Sequence, residues 1–305
     1  MGRYVLRRLL QSIFVLIGLA VVVFFVTHLI GDAARLALPI DASEEEYLRM
    51  RERLGVDDPL IVQFLRYAGD LVRGDFGTSI WQNVPAMGLV TRRFPPTAIL
   101  AFSTLAFSLA VSIPAGVAAA LRPGSAIDRV AITVSIFGLS VPTFWIGLMM
   151  ITFLAVNVSW LKTSGYGGFS YLIMPMLAIS TQSIGRLTQV VRTAMLDVLP
   201  AQYLTTARSK GLGNRIVLGR HALRNAMLPI LTITGDQVIG LLNGTVVIEV
   251  IFAWPGIGKL MYDAIVRRDF PVIQASVLFI AIVVIFVNLI IDLLYAWMDP
   301  RIRYD

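Results

Sequence analysis

The chain has 305 residues, of which 57% are hydrophobic and only 15% charged; its formal net charge is +7 and it contains no cysteine. A soluble domain carries about 25% charged residues, so a water-soluble globule is disfavoured, and the missing thiols exclude disulfides, thiolate metal sites and cysteine nucleophiles. The positive balance does not call for nucleic acid, because membrane proteins gather Lys and Arg in their cytoplasmic loops.

Uninterrupted stretches decide the class. Segments 9–30, 94–121, 130–161 and 270–291 hold no Asp, Glu, Lys or Arg, and each exceeds the ~20 residues a helix needs to cross a bilayer. Two weaker segments join them. Segment 163–185 is uncharged but opens with Gly and polar residues, and 225–248 is interrupted once, by Asp236. The expected fold is therefore an all-α membrane protein with six transmembrane helices. Arg3, Arg7 and Arg8 precede the first apolar run, which is longer than a signal-peptide core and fits a retained signal anchor. With the N-terminus inside, Arg122, Arg129, the basic 186–225 region, Arg301 and Arg303 share the cytoplasmic side and outnumber the nearby acids. Both termini are then cytoplasmic.

The expected organisation is an N-terminal tail and first span over 1–30, an extracytoplasmic helical insertion over 31–96, a core with the other five spans over 97–298 and a cytoplasmic tail over 299–305. In the insertion, Ser43 and Glu46 form a capping box, and Gly55 marks a stop. Asp58-Pro59 predicts a second start, with Asp58 as N-cap. Leu60, Phe64, Ala68, Leu71 and Val72 give that helix one apolar stripe suited to packing on the bundle, and Gly74 ends it. Residues 122–129 read as a short turn, while 163–170 and 254–272 read as external loops.

Several kinds of chemistry are missing. "AWPGIGKL" (253–260) lacks the first Gly and the Ser/Thr of a phosphate loop, since Ala253 and Leu260 stand there. His28 and Asp32 share a helical face, but two ligands do not make a metal site. No nucleophile–base–acid set can be assembled, so no catalytic residue, metal or cofactor is expected in this chain. Ionisable groups at membrane depth are costly and normally face a bundle interior or a water-filled path. Asp236 is accordingly the leading pathway candidate, with Asn288 and Asp292, one turn apart, as further candidates. Gly240 and Gly244 form a GxxxG pair suited to close helix packing, within the chain before a dimer seam.

One basic segment remains, "LTTARSKGLGNRIVLGRHALRN" (204–225), lying between two apolar runs. Pro200 suits the first turn of a helix, and Thr205, Thr206 and Ala207 are small enough to admit a partner's surface. Gly211 and Gly213 predict its stop, and Asn214 caps a second helix leading into the fifth span. Snorkelling to anionic lipid accounts for the charges but not for the small-residue helix and its turn.

"YLTTARSKGLGNRIVLGRHALRNAMLP" resembles the cytoplasmic coupling loop (here 200–225) of binding-protein-dependent ABC importer permeases of the dipeptide, oligopeptide and nickel branch. "LGVDDPLIVQFLRYAGDLVRGDFGTS", "RFPPT", "PTFWIGLMMI", "IEVIFAWPGIGKLMYDAIVRRDFPVIQ" and "VNLIIDLLYAWMDPRIRY" are similar to the same family. The general motif starts Glu-Ala-Ala; here Thr205 and Thr206 stand at its first two positions, and Ala207 and Gly211 match it. Relatives carry Pro where this chain has Ile30 and Ala33. The resemblance implies the type I importer permease architecture, in the bacterial inner membrane, with an ATPase-coupling helix using Tyr203, Thr205, Thr206, Ala207, Lys210 and Gly211. It also implies a second homologous permease, two ATP-binding subunits that hold ATP and Mg, and an extracytoplasmic substrate-binding protein. Peptides are the implied substrate, with nickel chelates, glutathione or oligosaccharides as alternatives on the same architecture. The residues also admit a secondary transporter or channel using Asp236 and Asp292 as relays.

Overall fold

The computed structural model describes residues 2–30, 35, 38, 43–54, 57–155 and 157–298. Every regular element among them is helical, as a chain in lipid requires, because a spanning segment must satisfy its own backbone N–H and C=O groups. In chain order the helices are α1 (Gly2–Ile30), α2 (Glu44–Leu54), α3 (Leu60–Val72), α4 (Ala86–Leu121), α5 (Ala126–Ser140) and α6 (Thr143–Met150). They continue as α7 (Phe169–Val198), α8 (Gln202–Ser209), α9 (Asn214–Gly244), α10 (Val246–Ile251), α11 (Ile257–Arg267) and α12 (Phe270–Met298).

The six apolar segments fall on α1, α4, the α5–α6 pair, α7, α9 and α12. Among the described residues, α4, α9 and α12 are long and apolar enough to span a bilayer, and the α5–α6 pair makes a fourth if counted as one span. In α1 the apolar stretch is the shorter Leu10–Val26, and α7 carries polar residues along one side.

The third segment is not the single helix expected over 130–161. It bends by 96° between α5 and α6. Val141 is extended (φ −89°, ψ 126°), the conformation imposed on a residue before proline, and Pro142 has no N–H to continue the ladder. Other boundaries also move. Pro59, not Asp58, is the N-cap of α3, and Asp58 makes no side-chain cap; it binds Arg66 instead, at 2.6 Å. Ala201 is the N-cap of α8, so Pro200 lies before its first turn. Gly213 takes the cap position before Asn214, which is already helical. The Ser43–Glu46 capping box forms, with Ser43 N–H on Glu46 Oε2 at 2.9 Å and Glu46 N–H on Ser43 Oγ at 3.3 Å. The Ser43 N–H and then the Ser43 hydroxyl, both donating to Glu46 Oε2, hold the Glu46 carboxyl below its usual range. Gly55, Asp32 and the side chain of His28 lie outside the described residues.

The chain divides into two compact units, one from the described residues of 1–95 and 259–289, the other from 96–258 and 290–298. In the first, Phe24 of α1 packs against Phe64 and Tyr67 of α3, with centroids 5.3 and 5.5 Å apart. Burial pushes the Tyr67 phenol up to about 12. Phe64, Ala68 and Leu71 of the expected stripe are half-buried, whereas Leu60 and Val72 at its two ends are exposed. Gly74 ends α3 with φ +78°, as its position predicted. In the same unit, the buried Asp269 accepts from the Ser79 hydroxyl and, at 3.1 Å, from the Ile80 N–H. This pins residues 79–81 to the start of α12.

In the second unit α7 packs against α5, α6, α9 and α10. Its contact with α5 is backbone to backbone. A Cβ on Gly138 would lie 2.6 Å from the Thr181 carbonyl oxygen, and one on Gly185 would lie 2.6 Å from that of Ser135. Glycine at both positions is what lets these helices approach so closely. The contact is locked at one end by Asp128 of α5, whose carboxylate takes Arg192 of α7 in a bidentate pair (2.5 and 2.9 Å) and the Gly124 N–H at 2.8 Å. The expected intrachain packing of Gly240 and Gly244 is not found, since a Cβ on either meets nothing within 4 Å. On α9 it is Gly235 that packs closely, against Ile291. Gly185→Ala should therefore destabilise the purified protein by about 1–3 kcal/mol through overpacking. Gly240→Ala should be neutral or stabilising by about 0.5–1 kcal/mol. Thermal unfolding of both variants in detergent checks the contrast.

Candidate functional site

The basic segment forms a short helix, a glycine turn and a second helix. α8 ends at Ser209 in a paired-bond stop, with Gly211 N–H on the Arg208 carbonyl at 2.9 Å and Leu212 N–H on that of Ala207 at 3.4 Å. Gly211 holds φ +78°, a left-handed conformation that a side chain would strain. Tyr203, Thr205, Thr206, Lys210 and Gly211 are exposed, and together with Arg208 they present a polar, basic surface. Ala207 faces the other way. It is buried with Leu204 among Val191, Ala194 and Met195 of α7 and Val217, Ala222 and Ala226 of α9. The surface that comes close to Ala207 is thus this chain's own core.

Beyond the turn, the first part of α9 is a π-helical stretch, Val217–Ala222. Such wide turns are rare and concentrate at functional positions. Val217 and Ala222 join the same core cluster as Leu204, so α8 and the start of α9 are seated on the end of α7 as one packed piece.

A second feature lies along α7 and α9. From Tyr171 to Val198 the exposed residues of α7 are Gln182, Arg186, Thr193 and Asp197, without one apolar side chain among them. On α9 the exposed positions include Asn225, Thr232, Asp236 and Asn243, accompanied by Pro229, Gly240 and Gly244. On α12, by contrast, Ile282, Phe286, Ile290, Leu293 and Leu294 are exposed. A face of the α12 kind suits lipid; polar faces at membrane depth need water or a partner.

The two polar faces meet at one point. Arg186 Nη2 and Asp236 Oδ2 are 3.2 Å apart, with the side chains 51% and 58% exposed. Beside them is a cavity of about 510 Å³, with Gln182, Ser183 and Arg186 of α7, Gln237 and Gly240 of α9 and Thr143 of α6 in its wall. Asp236, the leading candidate from the sequence, is not itself in that wall but pairs with Arg186, which is. In the sequence Arg186 reads as a flanking cytoplasmic cation, because the uncharged run ends at Gly185; α7 continues unbroken to Val198 and carries Arg186 within the helix. The signal that could have found it is the spacing of Gln182, Arg186, Gln189, Thr193 and Asp197, which follow one helical face. Asn288 and Asp292 are half-buried on α12. Asp292 does not line the cavity, and Asn288 belongs to the other unit.

The glycine loop that looked like a phosphate loop wraps an acid of its own chain. Glu249 of α10 is fully buried and accepts from the hydroxyls of Thr97 (2.7 Å) and Thr245 (3.0 Å). Thr97 Oγ1 accepts in turn from the Ile257 N–H at 2.9 Å, and the Trp254 indole N–H donates to the Pro96 carbonyl at 2.9 Å. A Cβ on Gly256 would overlap the Glu249 carboxylate. This carboxylate organises residues 252–258 and was not singled out from the sequence. No group of three or more His, Cys, Asp or Glu that could hold a metal ion occurs among the described residues.

Comparison with known proteins bears on both features. Residues 112–304 match the family described as binding-protein-dependent transport system inner membrane component, and residues 1–101 match its N-terminal membrane component. Among curated relatives, the oligopeptide transport system permease protein AppB of Bacillus subtilis (strain 168) is 40% identical, with all of both chains covered. The probable peptide ABC transporter permease y4tP of Sinorhizobium fredii is 39% identical and the glutathione permease GsiC of Escherichia coli (strain K12) 37%, again over all of both chains. Among solved structures, a chain of the inward-facing MetNI methionine ABC transporter aligns with a TM-score of 0.60 at 19% identity, covering 70% of this chain and 97% of that one. An amino acid ABC transporter chain aligns with a TM-score of 0.51 at 15% identity, covering 70% and 94%; at such identities the likeness concerns the fold alone. The six-segment hydropathy pattern, the helix–turn–helix at 202–222 and matches covering almost the whole length converge: the chain belongs to the binding-protein-dependent inner membrane transport components, as a non-catalytic permease subunit of an ABC importer.

Proposed function

We propose that this chain is one half of the translocation pathway of an ATP-driven importer of peptides, with both termini in the cytoplasm. The observation that carries this reading is the pairing of an exposed, basic, glycine-stopped helix with two polar helix faces in a chain 40% identical over its full length to an oligopeptide permease. The ATP and Mg would be held by two separate ATPase subunits. A second homologous permease would complete the path, and an extracytoplasmic binding protein would deliver the solute.

In this mechanism Tyr203, Thr205, Thr206, Lys210 and Gly211 form the face that docks on an ATPase. Leu204 and Ala207 tie that face to α7 and α9. Because α8 buries both residues in one core cluster with those helices, movement of the docked ATPase would be passed to the pathway helices and not lost in a loose loop. Packed interiors resist gradual deformation and pass on shifts as whole-body moves. The access change itself requires that the two states bind the partners differently.

Gly211→Trp should leave the subunit inserted but lower ATP-driven uptake of a labelled oligopeptide by the reconstituted complex about tenfold or more. Undiminished uptake by a normally inserted variant would remove the coupling role from this turn. The polar faces of α7 and α9 are testable directly, since the chain has no cysteine of its own. Thr193→Cys and Thr232→Cys should react with a membrane-impermeant thiosulfonate about tenfold or more faster than Phe286→Cys, because a thiol needs water to form its reactive thiolate. Equal rates at the three positions would argue that no aqueous path runs along α7 and α9.

A further inference from the structure

The Arg186–Asp236 pair has no adequate structural explanation. Both side chains are about half exposed, and an ion pair open to water adds little to stability. Two charges on helices of a membrane subunit are costly unless the site uses them. Arg186 stands in the wall of a cavity of about 510 Å³, within the usual range for a small-molecule site, and Asp236 reaches that wall through its 3.2 Å contact with Arg186. The other polar groups of that wall are the amides of Gln182 and Gln237 and the hydroxyls of Thr143 and Ser183. These can donate to and accept from an amide backbone.

The charges constrain what could bind. A cation alone would meet Arg186, and an anion alone would meet Asp236. A neutral polyol can hydrogen-bond to either group but brings no charge to replace either half of the pair. A solute with a carboxylate at one end and an ammonium at the other can replace both halves of the pair together. The exchange keeps every charge partnered before, during and after occupancy. Binding is then favourable enough for entry and weak enough for release, which a conduit requires.

We propose that Arg186 and Asp236 are specificity residues that read the two charged ends of a zwitterionic, amide-containing solute. The carboxylate is taken by the Arg186 guanidinium, whose planar fork matches it in two hydrogen bonds, and the ammonium by the Asp236 carboxylate. Gln182 and Gln237 face the solute's amide groups. This assignment rests on the reading of the α7 and α9 faces as the pathway of a peptide importer and adds to it the residues that select the solute.

The test uses the complete complex in proteoliposomes, with its binding protein outside and ATP inside. Uptake is measured for trialanine, trialanine amide and N-acetyl-trialanine, with nickel ion and maltotriose as solutes of other classes. The binding protein is the same throughout, so its own preference cancels when ratios are compared between variants. Arg186→Gln should lower the trialanine-to-amide uptake ratio about tenfold and spare the ratio to N-acetyl-trialanine; Asp236→Asn should do the reverse. A lost charge-assisted bond of about 1.4 kcal/mol corresponds to that tenfold change. If either neutral variant fails to insert, Arg186→Lys and Asp236→Glu carry the same test with smaller drops in the same two ratios. A variant that lowers all three peptides equally, or none, overturns the proposal and leaves the pair a packing element or gate. ATP-driven uptake confined to nickel ion or maltotriose also overturns it, together with the peptide part of the proposed function, while the ATP-driven importer reading stands. If no solute is taken up with ATP, the importer reading falls and this proposal with it.

Discussion

Helix α7 meets α5 through bare backbone, at Gly138 against Thr181 and at Gly185 against Ser135, and the rest of the second unit is arranged around that contact. Because no side chain separates the two helices there, α7 is held at a fixed distance and rotation. One face, with Leu187, Val191, Ala194 and Met195, is buried. The opposite face is thereby committed to Gln182, Arg186, Thr193 and Asp197. The Asp128–Arg192 pair closes the contact at its far end, where a nearly buried carboxylate finds a bidentate partner and a backbone N–H. Removing one member of such a pair costs more than the pair itself contributes, because the other charge stays buried.

The same helix explains how the exposed basic face of α8 and the polar faces of α7 and α9 come to share one packed core. α8 is only eight residues long, too short to be stable in isolation. It exists because Leu204 and Ala207 are buried against α7 and α9 and because the turn at Gly211 brings the Gly211 and Leu212 N–H groups onto the Arg208 and Ala207 carbonyls. The short helix therefore carries little independent motion. Its buried side joins it to the helices that bear Arg186 and Asp236.

Much of this was readable in advance. The capping box at Ser43, the stops at Gly74 and Gly211 and the apolar segments all follow from local rules that need no neighbours. Boundaries one or two residues off, as at Pro59, Ala201 and Gly213, reflect how evenly balanced helix ends are. The bend at Val141-Pro142 had a local cause as well, but the surrounding run of uncharged residues masked it. The site was harder to see. Arg186 ends an uncharged stretch, so a search for apolar length places it outside the membrane helix. Only its position on a face shared with Gln182 and Thr193 reveals its setting. Glu249 gave no sign beyond being an acid in an apolar neighbourhood, because its partner Thr97 lies 152 residues away in sequence.

Sequence alone therefore determined the class of protein, an all-helical membrane chain with a small-residue helix and glycine turn between two apolar segments. Composition, hydropathy and turn chemistry act over a few residues and are written in order along the chain. Tertiary structure alone decided which glycines are contacts and which face open space, since Gly185 and Gly240 look alike until their neighbours are known. It likewise decided that Ala207 points inward and that a cation from one helix stands against an acid from another. Those outcomes depend on distances between residues that the chain order keeps apart.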